Sequence, residues 1–244
     1  MKSTTESGIN TYVNNLVRLI VVCSSFGDLY NPAVQRLTIE ALKELLAQVR
    51  NVINDVDHAM PPLTVAKGAR QEVFARLKPL ATRIRAAAIT LKLPESVVVH
   101  IEEIVRKIRG KRKHTLKSEY NNSNGEPKKH ISVAQLSFAE QIEHFSQIVK
   151  LVAGQPEYIP EEADLKVDAL NVYLDELWTV NKAVIAAERP LVVARNARNI
   201  LLYAPETGMM DTAIAVKEYV KSIFGAKSHY YKEVSHIKFE NKKI

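Results

Sequence analysis

The chain has 244 residues, 46% hydrophobic and 25% charged, with 8 Gly, 10 Pro and a formal net charge of +7. That profile belongs to a chain able to bury a core and excludes a disordered or collagen-like one. The single cysteine, Cys23, excludes an internal disulfide framework and a cysteine-rich zinc site, and no apolar run approaches the roughly 18 residues of a membrane-spanning helix.

In chain order, a first helix is expected over about 9–26. Its stretch Leu16–Cys23 (LVRLIVVC) could pass for a lipoprotein leader. It fails as one, because Arg18 interrupts the run and Val21 and Val22 stand where cleavage prefers small residues. A cytoplasmic location is the expectation. A glycine stop and a Tyr30-x-Pro32 start lead into a long second helix over about 33–76, in which Leu42, Leu46, Val49, Val52, Val56 and Leu63 recur at helical steps. Pro61 and Pro62 follow no capping residue, so a kink in one continuous helix of ~65 Å is predicted there. A third helix follows Lys78-Pro79 over about 80–92. Pro94-Glu95 then opens an extra helix, SVVVHIEEIVRKIRG, and Asn121–Gly125 reads as an exposed loop.

After this the pattern starts again. Residues 30–70 match residues 158–198 at a constant offset of 128 with 15 of 41 positions identical, where chance gives roughly three. The densest part is PLTVAKGAR (62–70) against PLVVARNAR (190–198), and Val21-Val22 through Gly27 lines up with Ile148-Val149 through Gly154 after a one-residue gap. Ser137-Phe-Ala-Glu140 is a capping-box signal for the first helix of the second copy, about 137–153. A long helix over 161–203 carries Pro190, Pro205–Gly208 breaks it, and a helix over about 209–224 is closed by Gly225. The tail alternates weakly and reads as extended.

The predicted fold is therefore all-α: an elongated antiparallel helix bundle built from two tandem pseudo-symmetric repeats with long kinked helices. Its parts are a first repeat over 1–93, a basic linker helix and loop over 94–134, a second repeat over 135–226 and a tail over 227–244, folded as one unit.

Catalytic chemistry is hard to place on this chain. It has no phosphate-cradling glycine loop, no G-x-S-x-G, no H-E-x-x-H and no C-x-x-C. A helical di-iron site needs paired Glu-x-x-His segments. Only Glu233-x-x-His236 and Asp55-x-x-His58 come near, and the latter's repeat partner is Ala183-x-x-Ala186. No catalytic residue, cofactor or metal is predicted. Cys23 sits among Val21, Val22 and Phe26 and reads as a buried structural thiol. Trp178, next to Leu177, reads as core or inter-helix packing, with a ligand platform as the lesser alternative.

Two sets of cations remain as candidate anion or partner contacts. The first is duplicated: Lys67 and Arg70 match Arg195 and Arg198, each pair spaced i, i+3. A solvated or salt-bridged face accounts for them most simply, with two equivalent anion patches as the functional reading. The second is the strip Arg106, Lys107, Arg109, Lys111, Arg112, Lys113 and Lys117; these seven charges account for the whole net charge of +7 and leave the rest of the chain neutral. They could neutralise phosphates, but no aromatic residues interleave with them for base stacking, Tyr120 being the nearest.

The opening KSTTESG, the strip RKIRGKR, Pro156-Glu157-Tyr158, Leu165-Lys166-Val167 and YVKSIFGA (219–226) together resemble a family of helical proteins from Bacteroidetes bacteria that has no assigned activity. The resemblance covers the whole chain apart from Pro61-Pro62, which departs from the pattern. It implies a bacterial origin and carries over no site residue. The function expected is that of a non-enzymatic structural or protein-interaction bundle, with a second copy or another protein as partner. A membrane-acting bundle resembling pore-forming toxin components and a nucleic-acid binder using residues 106–117 are the alternatives, and neither partner is favoured.

Overall fold

A computed structural model describes residues 6–110 and 137–239. Among them every regular element is helical: α1 Glu6–Ser25, α2 Ile39–Ala75, α3 Leu77–Thr90, α4 Glu95–Arg109, α5 Phe138–Ala153, α6 Val167–Tyr203, α7 Met209–Phe224 and α8 His229–Ser235. The two long helices have 37 residues each, about 55 Å at 1.5 Å per residue. That is shorter than the ~65 Å predicted, because each begins after a separate 3-10 turn, Gln35–Leu37 and Ala163–Leu165.

α2 runs unbroken through Pro61 and Pro62, and α6 through Pro190. A proline inside a helix forfeits one backbone hydrogen bond and crowds the preceding turn. All three rings point to solvent, whereas Val56, Leu63, Val184 and Leu191 on either side of them are buried. Packing of that apolar face holds the helix together where local propensity would end it.

The lead-in to each long helix is built the same way. Tyr30 Oη donates to the Leu37 carbonyl at 2.7 Å, and Tyr158 Oη donates to the Leu165 carbonyl at 3.1 Å. All four side chains are buried, as are Pro32 and Pro160. Burial pushes the Tyr158 hydroxyl up to about 12, so it stays a donor. Replacing either Tyr by Phe strands a buried carbonyl. Each change is expected to cost about 1 kcal/mol in urea unfolding, and the double variant about twice that, since the sites are independent.

The chain divides into two units, Met1–Pro62 with Glu188–Ile244 and Leu63–Ala187. Neither coincides with a sequence copy. The first gathers α1, the start of α2, the end of α6, α7 and α8 around Leu16, Leu19, Leu42, Met209, Met210 and Val216. The second gathers the end of α2, α3, α4, α5 and the start of α6 around Ile84, Ile101, Ile104, Phe145, Ile148 and Leu170. Each core thus mixes residues of both copies.

Two expectations are corrected. The tail forms α8, whose N-terminus is capped by Ser228 Oγ accepting from the Tyr231 N–H at 3.1 Å. Lys217 Nζ donates to the carbonyls of Ser235 at 3.2 Å and Ile237 at 3.0 Å, closing its other end. The alignment of the first helices is also two residues out of phase. Leu19, Ile20 and Cys23 are buried as Ile148, Val149 and Val152 are, whereas Val21, matched by identity to the buried Ile148, is exposed. Two residues on a helix are ~200° of rotation, and a run of aliphatic residues gives identity matching nothing to fix that phase.

Candidate interaction surface

The predicted cations fall into two sets. Arg106, Lys107 and Arg109 lie in the last turn of α4, with Arg106 Nη2 3.9 Å from Glu103 Oε1 and Gly110 closing the helix at φ 69°. Cations at a helix C-terminus meet the negative end of its dipole, which accounts for these three. Lys111, Arg112, Lys113 and Lys117 lie outside the described residues, as does Tyr120.

The duplicated pairs split in the same way in both copies. Lys67 and Arg195 are exposed, while Arg70 is half-buried and Arg198 is 9% exposed. The Arg70 guanidinium stacks 3.8 Å above the Phe138 ring and donates to Asn181 Oδ1 at 3.1 Å. Arg198 donates to Asn199 Oδ1 from Nε at 3.3 Å and Nη2 at 3.0 Å, beside a cavity of about 60 Å³ lined by Ile9, Ile53 and Asp57. By burial phase Ile9 matches Phe138, and by offset Ile53 matches Asn181. Each arginine packs within its own unit. The Asp57 carboxylate on the Arg198 cavity makes it a poor place for an anion.

Two nucleophile and acid–base candidates are occupied by packing. Cys23 is buried and its thiol is pushed up to about 12 by desolvation, which removes the thiolate needed for reactivity. His144 on α5 is 7% exposed. Burial lowers its pKa, and the Lys107 ammonium on α4 lowers it further; a Gln147 hydrogen bond and the Glu140 and Glu143 carboxylates oppose this. A histidine depressed in the fold contributes stability that is present above its unfolded pKa of about 6.5 and is lost as pH falls through the folded value. Urea midpoints are expected to drop between pH 7.5 and pH 5, and His144→Gln is expected to flatten that dependence.

An exposed apolar pair stands on one face of α6. Ile185 is 62% exposed and Trp178 39%, which removes Trp178 from the core position the sequence suggested. Sequence reasoning missed this face, although its signal was present: residues 178 and 185 fall out of phase with the buried stripe of Leu170, Tyr173, Leu177 and Val184. The matched face of α2 is a control. There, 128 residues earlier, stand Arg50 and Asp57, both exposed. A helix of the same length and burial pattern therefore needs no apolar residue at these places.

On the other flank of α6 runs a groove of about 560 Å³ lined by Ala75, Pro79, Leu80, Ala169, Val172 and Tyr173. Ion pairs Arg76–Glu176 and Arg83–Asp164 lie at its rim, and the Arg76 guanidinium sits 4.9 Å over the Tyr173 ring. Arg83 holds the Asp164 carboxyl below its ordinary pKa. Among the described residues there is no cluster of His, Cys, Asp and Glu able to hold a metal ion, and no helix is long and apolar enough to cross a membrane.

Comparison with known protein families, curated proteins and solved structures returned no match. The surface itself therefore carries the functional reading.

Proposed function

We propose that this chain is a non-enzymatic helical interaction protein that associates with copies of itself. One observation carries the reading: Trp178 and Ile185 stand exposed on one face of α6, where the matched face of α2 carries Arg50 and Asp57. Exposed large apolar residues that folding does not require are the mark of a contact surface. An elongated antiparallel bundle descended from a duplication belongs to the same proposal. It is supported by the shared 37-residue helices and the two Tyr-to-carbonyl hydrogen bonds. The cytoplasm, where a lone thiol such as Cys23 stays reduced, is the proposed setting.

Light scattering behind size exclusion, from micromolar to near-millimolar protein, tests it. The weight-average mass is expected to rise above the 27.4 kDa of one chain with concentration. A mass fixed at that value throughout overturns the proposal.

A further inference from the structure

The exposed face of α6 has an internal order that specifies how two copies would meet. Asp175 and Lys182 are seven residues apart, as are Trp178 and Ile185. Seven residues advance a helix by about 10 Å and return to within ~20° of the same direction. The four therefore form two parallel lines along α6, a charged one and an apolar one, and all four are exposed.

The charged line is self-complementary. Turned about a two-fold axis passing between Trp178 and Thr179, a second α6 runs antiparallel to the first. Asp175 then faces Lys182 of the other copy, and Lys182 faces Asp175. On the flanking line the same axis sets one Trp178 ring against the other. A shallow depression of about 360 Å³ is lined by Asp175, Trp178, Thr179 and Lys182, the residues that surround such an axis. Slipped by one turn, the charge pairs are lost; run parallel, Asp175 meets Asp175. The sister helix has Ala47, Arg50, Asn51 and Asn54 at these places, with neither the charge pair nor the ring.

We propose that two copies of this chain dock through antiparallel pairing of their α6 helices, with Asp175 of each copy bonded to Lys182 of the other and the two Trp178 rings in contact at the axis. This rests on the self-association reading and adds its site and register. A strip of four turns covers less than the ~800 Å² per partner of a standard interface, so the contact is weak, with a dissociation constant on the order of 10–100 µM. It is reversible at cellular concentrations.

The charge line supplies the test, because its residues are exposed and their exchange leaves the core alone. Sedimentation of Asp175→Lys and of Lys182→Asp is expected to show at least about tenfold weaker association for each. An equimolar mixture of the two variants, and the double variant, are expected to return to within about threefold of the parent, since each again pairs opposite charges. Trp178 is the sole tryptophan, so its emission is expected to shift to the blue as the parent is concentrated and to stay fixed in either single variant. Circular dichroism of each variant checks the fold. Association unchanged by both single reversals, or single-variant losses that neither the mixture nor the double variant repairs, overturns the α6 register while leaving self-association standing. A parent that stays monomeric overturns both.

Discussion

Phe145→Ala is expected to destabilise the protein by about 3–5 kcal/mol, the range for removing a fully buried aromatic ring. Phe145 is completely buried on α5 and meets Tyr173 of α6 edge-to-face, ring centroids 5.3 Å apart at 80°. Tyr173 in turn donates its hydroxyl to the Val73 carbonyl at 2.8 Å. The ring therefore ties α5 to α6 and braces the residue that ties α6 to α2. Its loss leaves a cavity that two rigid helices cannot close, and it removes the edge-to-face contact as well. Phe145→Leu keeps most of the volume and is expected to cost under about 1.5 kcal/mol. Trp178→Arg, which installs the residue that α2 carries at the matched place, is expected to change stability by less than about 0.5 kcal/mol. Urea midpoints of the three variants separate the aromatic residue that holds the unit from the one that faces outward. A large loss for Trp178→Arg would return that ring to a structural role.

The repeat made the two long helices legible, and the reason is physical. Leu42, Val56 and Leu63 recur as Leu170, Val184 and Leu191, and all six are buried, so the match records the face that packing needs. Continuity through the prolines followed instead from the absence of a capping residue before them. What the stripe could not reveal was where each helix starts. Tyr30-x-Pro32 looks like a helix opening, but the Tyr30 hydroxyl reaches forward to the Leu37 carbonyl and fixes an irregular lead-in, an interaction with no periodic signature. The division into units was equally hidden, because a sequence copy and a packed core are different things. α3 belongs to the first copy yet shares its core with α5 of the second. Of the candidate site, duplication and charge drew notice to Arg70 and Arg198, and an arginine packed within its own unit looks the same in a sequence as one facing water. The α6 face was visible only in retrospect, since Trp178 beside Leu177 reads as core until the burial phase is known.

Two glycines that mark helix ends in the sequence are expected to respond to alanine with opposite signs. Gly154 follows α5 with φ −80°, a backbone any residue adopts, and a Cβ there would lie 3.6 Å from the Lys150 carbonyl oxygen and 3.7 Å from that of Leu151. Those are ordinary contacts. Gly154→Ala is therefore expected to stabilise by up to about 0.5 kcal/mol through the unfolded chain's lost freedom. Gly208 precedes α7 with φ −66° and ψ 157°, again no strain. Its constraint is space. A Cβ at Gly208 would stand 2.6 Å from both the nitrogen and the oxygen of Ala204 and 3.0 Å from the Leu202 oxygen. All are main-chain atoms, so no rotamer change relieves the clash. The turn is also held on every side. The Gly208 N–H donates to the Ala204 carbonyl at 2.8 Å, the Glu206 N–H donates to Asp211 Oδ2 at 3.0 Å with Glu206 itself at φ 65°, and Arg36 donates to the Glu206 carbonyl. An added methyl must push α7 off the end of α6 and loosen Met209, Met210 and Ala213, all completely buried. Gly208→Ala is expected to cost about 3 kcal/mol, the upper end for over-packing because backbone has to move, and thermal unfolding of the two variants side by side measures the difference. Equal midpoints would mean that the α6–α7 turn yields, and that its close approach is not what holds α7 against Leu202.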